Sequence, residues 1–113
     1  MTLARLLIPP AIAVTLATVP PVMADDPVIY DLTLRNHAFE PSELKVPAGK
    51  PFKIKFRNTN SAPAELESKL LKIEKVVAGS TEATVNVRAL DPGRYEFYDE
   101  FHEDEAKGVV VAE

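Results

Sequence analysis

Two histidines and a handful of acids carry whatever chemistry this chain can do. Asp99 and His102 stand as acid-x-x-histidine at the end of an alternating run, Tyr95-Glu96-Phe97-Tyr98, behind a Pro92-Gly93 turn. The other histidine, His37, lies between Arg35-Asn36 and Ala38-Phe39. The acids nearest in pattern are Glu65, Glu67, Asp99, Glu100, Glu103, Asp104 and Glu105. Imidazole is the commonest transition-metal ligand near neutral pH, and carboxylates complete harder sites. The chain has no cysteine, so a site built here favours Cu(II), Fe, Mn or Zn over Cu(I), which seeks thiolate. The candidate ligands are His102 and Asp99 first, then His37, then Glu67 and Glu65.

Each residue also has a plainer role. Both histidines can be solvated loop residues. If the strand runs on through Asp99, that acid shares a face with Phe97 and sits at the rim of an apolar surface, where a carboxylate needs a partner. A metal, a lysine or a backbone N–H would serve. Glu100 then points outward to solvent, and Glu103-Asp104-Glu105 reads as a solvated acidic loop. Tyr95, just behind the Pro-Gly turn, suits a corner residue whose hydroxyl ties the turn. No Gly-x-Ser-x-Gly, Walker loop, Gly-x-Gly-x-x-Gly or His-Glu-x-x-His is present, so no hydrolase, nucleotide or zincin motif points to an enzyme.

The elements that must position these residues read as short strands. Tyr30, Leu32 and Leu34 alternate with polar residues. Leu44-x-Val46 is bracketed by Pro41 and Pro47-Ala48-Gly49. Phe52, Ile54 and Phe56 alternate with Lys53, Lys55 and Arg57, the period-two pattern of a half-buried strand. Ile73–Val77, Thr84–Val87, Tyr95–Tyr98 and Gly108–Val111 follow, with turns at Ala78-Gly79-Ser80 and Asp91-Pro92-Gly93. This predicts an all-β fold, an antiparallel Greek-key β-sandwich of seven to eight strands. Glu65-Leu66-Glu67-Ser68 reads as another strand or as the start of a short helix, the Glu65-to-Lys69 spacing admitting one within 65–75. Residues expected inside are Leu32, Leu34, Phe39, Leu44, Val46, Phe52, Ile54, Phe56, Leu66, Val85, Val87, Tyr95, Phe97, Val109 and Val111.

Residues 1–24 resemble a secretory signal peptide. Arg5 is the positive start, an apolar stretch runs from Leu6 to about Val22, and Val22-Met23-Ala24 has the small-x-small form of a cleavage site. A membrane anchor is the rival reading, disfavoured by Pro9, Pro10, Pro20 and Pro21 within a run barely long enough to span. Residues 25–113 then form the single domain. They keep all 17 Asp and Glu and lose Arg5 from the 13 Lys and Arg, a formal charge of −5. Such a balance argues against nucleic acid and suits a cation ligand, or simple solubility. Export without a disulfide framework fits a bacterial periplasm.

The motifs together resemble a known family. Phe39-x-Pro41-x-x-Leu44-x-Val46-x-x-Gly49-x-x-Phe52, with Asn58 closing the next strand, resembles the opening of cupredoxin-like domains. Pro92-Gly93-x-Tyr95-x-Phe97 followed by Asp99-x-x-His102 and Gly108 resembles their closing stretch. Pro63-Ala64-Glu65-Leu66-Glu67-Ser68 and Glu74-Lys75-Val76-Val77 are similar to the short periplasmic EfeO-type cupredoxin-like domain found with bacterial ferrous-iron uptake systems. The resemblance implies a periplasmic protein that binds copper and/or iron as carrier or redox helper. Its partners would be an inner-membrane iron permease or another periplasmic iron-binding protein. It also implies where blue-copper ligands would fall: the first histidine on Ala64, the cysteine on Asp99, the second histidine on His102, and the methionine near Ala106. With one of four retained, any copper here is not a type 1 blue-copper centre. His37, Glu65 or Glu67, Asp99 and His102 are expected to gather at one pole instead. The rival readings are a metal-free interaction module that docks to a transporter or periplasmic partner, and an oxidase acting on Fe(II).

Overall fold

The alternation in the sequence becomes two stacked sheets. The computed structural model describes residues 2, 4, 5, 7–18 and 26–113. Its strands are β1 Ile29–Arg35, β2 Ala38–Glu40, β3 Glu43–Val46, β4 Phe52–Asn58, β5 Ala64–Ser68, β6 Ile73–Val77, β7 Thr81–Val87, β8 Gly93–Asp99 and β9 Lys107–Ala112, with a 3₁₀ turn at Glu100–His102. One sheet runs β2-β1-β4-β7 and the other β3-β9-β8-β5-β6. Residues 7–18 are exposed and hold neither helix nor strand. The expected cleavage point Val22-Met23-Ala24 lies outside the described residues, and no helix among those described is long and apolar enough to cross a membrane.

The all-β sandwich is as expected, with three corrections. There are nine strands among the described residues, not seven or eight. The sheets are mixed, because β1 pairs parallel with β4 and β3 parallel with β9. No helix forms within 65–75. A β5–β6 hairpin stands there, with Glu67 directly opposite Glu74. The Glu-x-x-x-Lys spacing is worth only a few tenths of a kcal/mol. Burying Leu66, Leu71 and Ile73 is worth roughly 1.5–3 kcal/mol for each side chain. Ser68 fixes the reversal, accepting from the Leu71 N–H at 3.1 Å and donating to the Glu96 carbonyl at 2.6 Å.

The core between the sheets contains Leu32, Leu34, Phe39, Phe56, Phe97 and Val110 among others. Val85 and Tyr95 pack against it half-buried. On β9 the expected phase is reversed: Val110 and Ala112 are inside, while Val109 and Val111 are half-buried. A run of three valines has no period of its own. The phase is set by Gly108, which sits opposite the inward Phe97. A Cβ on Gly108 would overlap that ring.

Polar ties then hold the loops at one pole. Asn58, fully buried, donates to the carbonyls of Ala62 at 2.8 Å and Val77 at 3.2 Å, and accepts from the Asn60 N–H at 3.0 Å. Asn60 in turn accepts from the Asn36 N–H at 3.1 Å. At the opposite turn the Tyr95 hydroxyl donates to the Asp91 carbonyl at 2.7 Å, the expected corner. Tyr95→Phe should lower stability by about 1 kcal/mol, the net value of one such bond, read from the urea midpoint at unchanged slope.

Candidate metal centre

The pole is built around Asp99, the last residue of β8, which is only 1% exposed. Its Oδ1 accepts from the Glu65 N–H at 3.0 Å and the Phe101 N–H at 3.1 Å. Its Oδ2 faces His102 Nδ1 at 3.0 Å. Asp99 thus caps the 3₁₀ turn, links β8 to β5 and orients an imidazole. The turn closes on itself: the His102 carbonyl accepts from the N–H groups of Glu105 and Ala106, and the Asp99 N–H donates to the Ala106 carbonyl, each at 3.0 Å.

His37 reaches the same place from the other sheet. Arg35 pairs with Ala38, so Asn36 and His37 form a two-residue hairpin turn. Both have positive φ, 49° and 62°, the turn form that matches the twist of a hairpin and favours Asn followed by Gly. The His37 and His102 rings lie 4.4 Å apart between centroids, tilted by 45°. Glu105 Oε2 is 3.9 Å from His37 Nδ1.

Glu65 and Glu67 do not join this group. They alternate with the inward Leu66 and lie on the other face of β5, with Glu74 of β6 and Glu100 of the 3₁₀ turn. Burial, then repulsion and a shared proton with Glu74, raise the Glu65 carboxyl above its ordinary range; Glu100 and Asp99 add to this. Burial and then contact with Glu100 raise Glu67 similarly, with Glu65 and Glu74 contributing. Tyr98, opposite Glu67, is raised by burial and then by Glu67, Glu100, Glu103 and Glu65. No Lys or Arg makes an ion pair with any of the four glutamates among the described residues.

Of the five expected ligands, then, His37, His102 and Asp99 meet, and Glu65 and Glu67 belong to a second cluster. Among the described residues no group of three or more His, Asp or Glu side chains is arranged to hold a metal ion as it stands. Sequence reasoning passed over Glu74, and it assigned Glu100 to solvent. The signal for Glu74 was there: a hairpin centred on 69–72 places it opposite Glu67.

Two mixed sheets, four and five strands, with a histidine turn at the end of the penultimate strand, define a β-sandwich of the cupredoxin class. The chain belongs to the cupredoxin-like domain family, which matches residues 7–112. An uncharacterized protein of Rickettsia prowazekii (strain Madrid E) is 30% identical over 80 residues, 71% of this chain and 64% of that protein. The chain therefore spans a little under two thirds of that relative. Among solved structures, auracyanin A, a "blue" copper protein from Chloroflexus aurantiacus, aligns with a TM-score of 0.68 at 16% identity over 78% of this chain and 100% of its own. The metal-binding domain of the Cu(I)-exporting P-type ATPase of Streptococcus pneumoniae D39 gives 0.66 at 16% identity over 80% and 91%. At these identities the likeness is one of fold.

A blue-copper centre does not fit the residues at this pole. Ala64 and Ala106, both buried, offer methyl groups where the family pattern has metal donors. Asp99, at the cysteine's place, already has three donors on its two oxygens. Every described buried side-chain polar atom has a partner, so nothing inside is left waiting for an ion.

Proposed function

We propose that the chain is an exported periplasmic domain that binds a hard cation, iron foremost, through Glu65, Glu67, Glu74 and Glu100. It would serve as carrier or redox helper in a ferrous-iron uptake system. The observation that carries this is Glu65. Glu65 as a residue is only 8% exposed, its carboxylate has no cationic partner among the described residues, and it faces three further carboxylates. An oxygen-only set of this charge selects hard ions over soft ones. The cation is cargo here, and its partners would be an inner-membrane permease or a second periplasmic iron-binding protein. The satisfied interior of the pole favours a second reading, a metal-free module that docks to such a partner.

Protons and cations compete for this cluster, and the sign is fixed by the raised carboxyls. The folded chain keeps protons on Glu65 and Glu67 at pH values where the unfolded chain has lost them. Their contribution is therefore most favourable below the ordinary glutamate range and is lost as pH rises through the raised values. Glu65→Gln should raise the melting temperature at pH 7, with the gain vanishing in acid. Adding Fe(III) as its citrate, or Mn(II), should raise the wild-type melting temperature at pH 7 and leave Glu65→Gln unmoved. At a hundredfold excess over Kd the stabilisation is about 2.7 kcal/mol. That corresponds to roughly 4–8 °C per kcal/mol for a domain of this size. No cation-dependent shift in the wild type would leave the docking module as the reading.

A further inference from the structure

We infer that the free edge of β7 pairs antiparallel with β7 of a second copy of this chain, centred on Thr84, and joins the two four-stranded sheets into one. This rests on the sheet and not on the carboxylate cluster.

The two sheets have four outer strands, β2, β7, β3 and β6. An outer strand offers a row of unpaired N–H and C=O groups, and proteins blunt it with short length, proline or charge, lysine above all. Three of the four are blunted here. β2 has three residues and runs into Pro41. β3 has four, carries Glu43 and Lys45, and stands between Pro41 and Pro47. β6 carries Glu74 and Lys75. β7 is different. Its seven residues, Thr81–Val87, include no proline and no lysine, and their one charge is Glu82. That charge does not guard the edge. Arg57 of β4 donates to it at 3.0 and 3.2 Å, and the Lys55 ammonium stands 3.6 Å away, so the carboxylate is drawn over the sheet and away from the free side. Both ends of the strand are tied. The Ser80 N–H donates to the Asn60 carbonyl at 2.9 Å, and Arg88 donates to the Leu70 carbonyl at 3.0 Å. Among the described residues no backbone bond joins Thr81–Val87 to anything but β4.

The strand's own sequence selects the occupant. Directly opposed residues of an antiparallel pair share a face, so a two-fold pairing must set a residue on its axis, and Thr84 is the one that pairs all seven. Glu82 then lies opposite Asn86 of the second copy, Ala83 opposite Val85, and Thr84 opposite its own counterpart. No like charges meet, the threonine hydroxyls bond across the axis, and the half-buried Ala83 and Val85 cover one another. The join also falls where an acidic chain can meet itself. The outward side chains of β4 and β7 hold three cations, Lys53, Lys55 and Arg57, against Glu82 alone, in a chain of net charge −4. Thr81 stands opposite Asn58 at the pole, so antiparallel pairing sends the two poles to opposite ends and leaves both open. One strand pair buries less than the roughly 1,200 Å² of a standard interface, so the dimer is weak and forms as concentration rises.

The test is sedimentation velocity of the purified chain over a wide range of concentration. The wild type should show a reversible monomer–dimer equilibrium. Thr84→Lys should weaken it about fivefold by setting two ammonium groups on the axis, and Asn86→Lys should tighten it about fivefold by facing Glu82 twice. The two variants add the same charge to the same face two residues apart, so net charge alone would move both the same way. Both positions are exposed, and an unchanged melting temperature of the dilute protein shows that the fold is intact. Mixing Thr84→Lys with Thr84→Glu should restore the dimer, a result that direct opposition at this residue requires. A chain that stays monomeric at the highest concentration, lysine variants that shift association in the same direction, or no recovery on mixing would each overturn the inference.

Discussion

Asp99→Ala is expected to lower the unfolding free energy by about 3 kcal/mol, the cost of leaving its buried donors without an acceptor. The Glu65 N–H makes its bond buried between β5 and β8, where water cannot easily replace the carboxylate; the Phe101 N–H, which opens the 3₁₀ turn, is part-buried. Asp99→Asn separates the roles. Its amide oxygen keeps the geometry to accept both N–H groups, while the acceptor for His102 is lost. About half of the destabilisation should return in the asparagine variant, since a hydrogen bond to a charged group contributes about 1.5–3 kcal/mol. Urea unfolding at pH 7 measures both, with an unchanged slope as evidence that the denatured state is the same. Equal stability of Asp99→Ala and wild type would mean that Asp99 is not the organising residue of the pole.

Much of the fold was legible because it rests on period-two burial that short-range pattern reveals. Phe52, Ile54 and Phe56 announce β4, and Tyr95 behind Pro92-Gly93 announces both a strand and its corner bond. What escaped depends on partners distant in the chain. The valine run of β9 reads equally well in either phase, and only the opposition of Gly108 to Phe97 decides it. The 65–75 segment carries helical charge spacing, but burial of Leu66, Leu71 and Ile73 outweighs it. Glu74 was passed over although Ile73–Val77 reads as a strand, since the acid cluster exists only once the hairpin register places it opposite Glu67. Asp99 and His102 were visible from their spacing, and His37 from being the other imidazole. The filling of Asp99 by backbone donors was not visible, because the Glu65 N–H that reaches it is 34 residues away.

Phe97→Ala should be among the most damaging single changes in the domain. The side chain is 1% exposed and meets Phe39 edge-on at 5.0 Å between centroids. Truncation of a buried phenylalanine costs about 3–5 kcal/mol, a third or more of what a typical domain has. The ring also lies over Gly108, which makes the loss separable into pairwise parts. Gly108→Ala in the wild-type background pushes a methyl into the Phe97 ring and to 3.0 Å from the Ser42 carbonyl oxygen, an overpacking cost of about 1–3 kcal/mol. In the Phe97→Ala background the same methyl enters the space the ring has left. The double variant should therefore be more stable than the sum of the two single losses by about 1 kcal/mol or more, above the scatter of about 0.3–0.5 kcal/mol with which independent sites add. Strict additivity would mean that the ring does not rest on Gly108 and that something else sets the phase of β9.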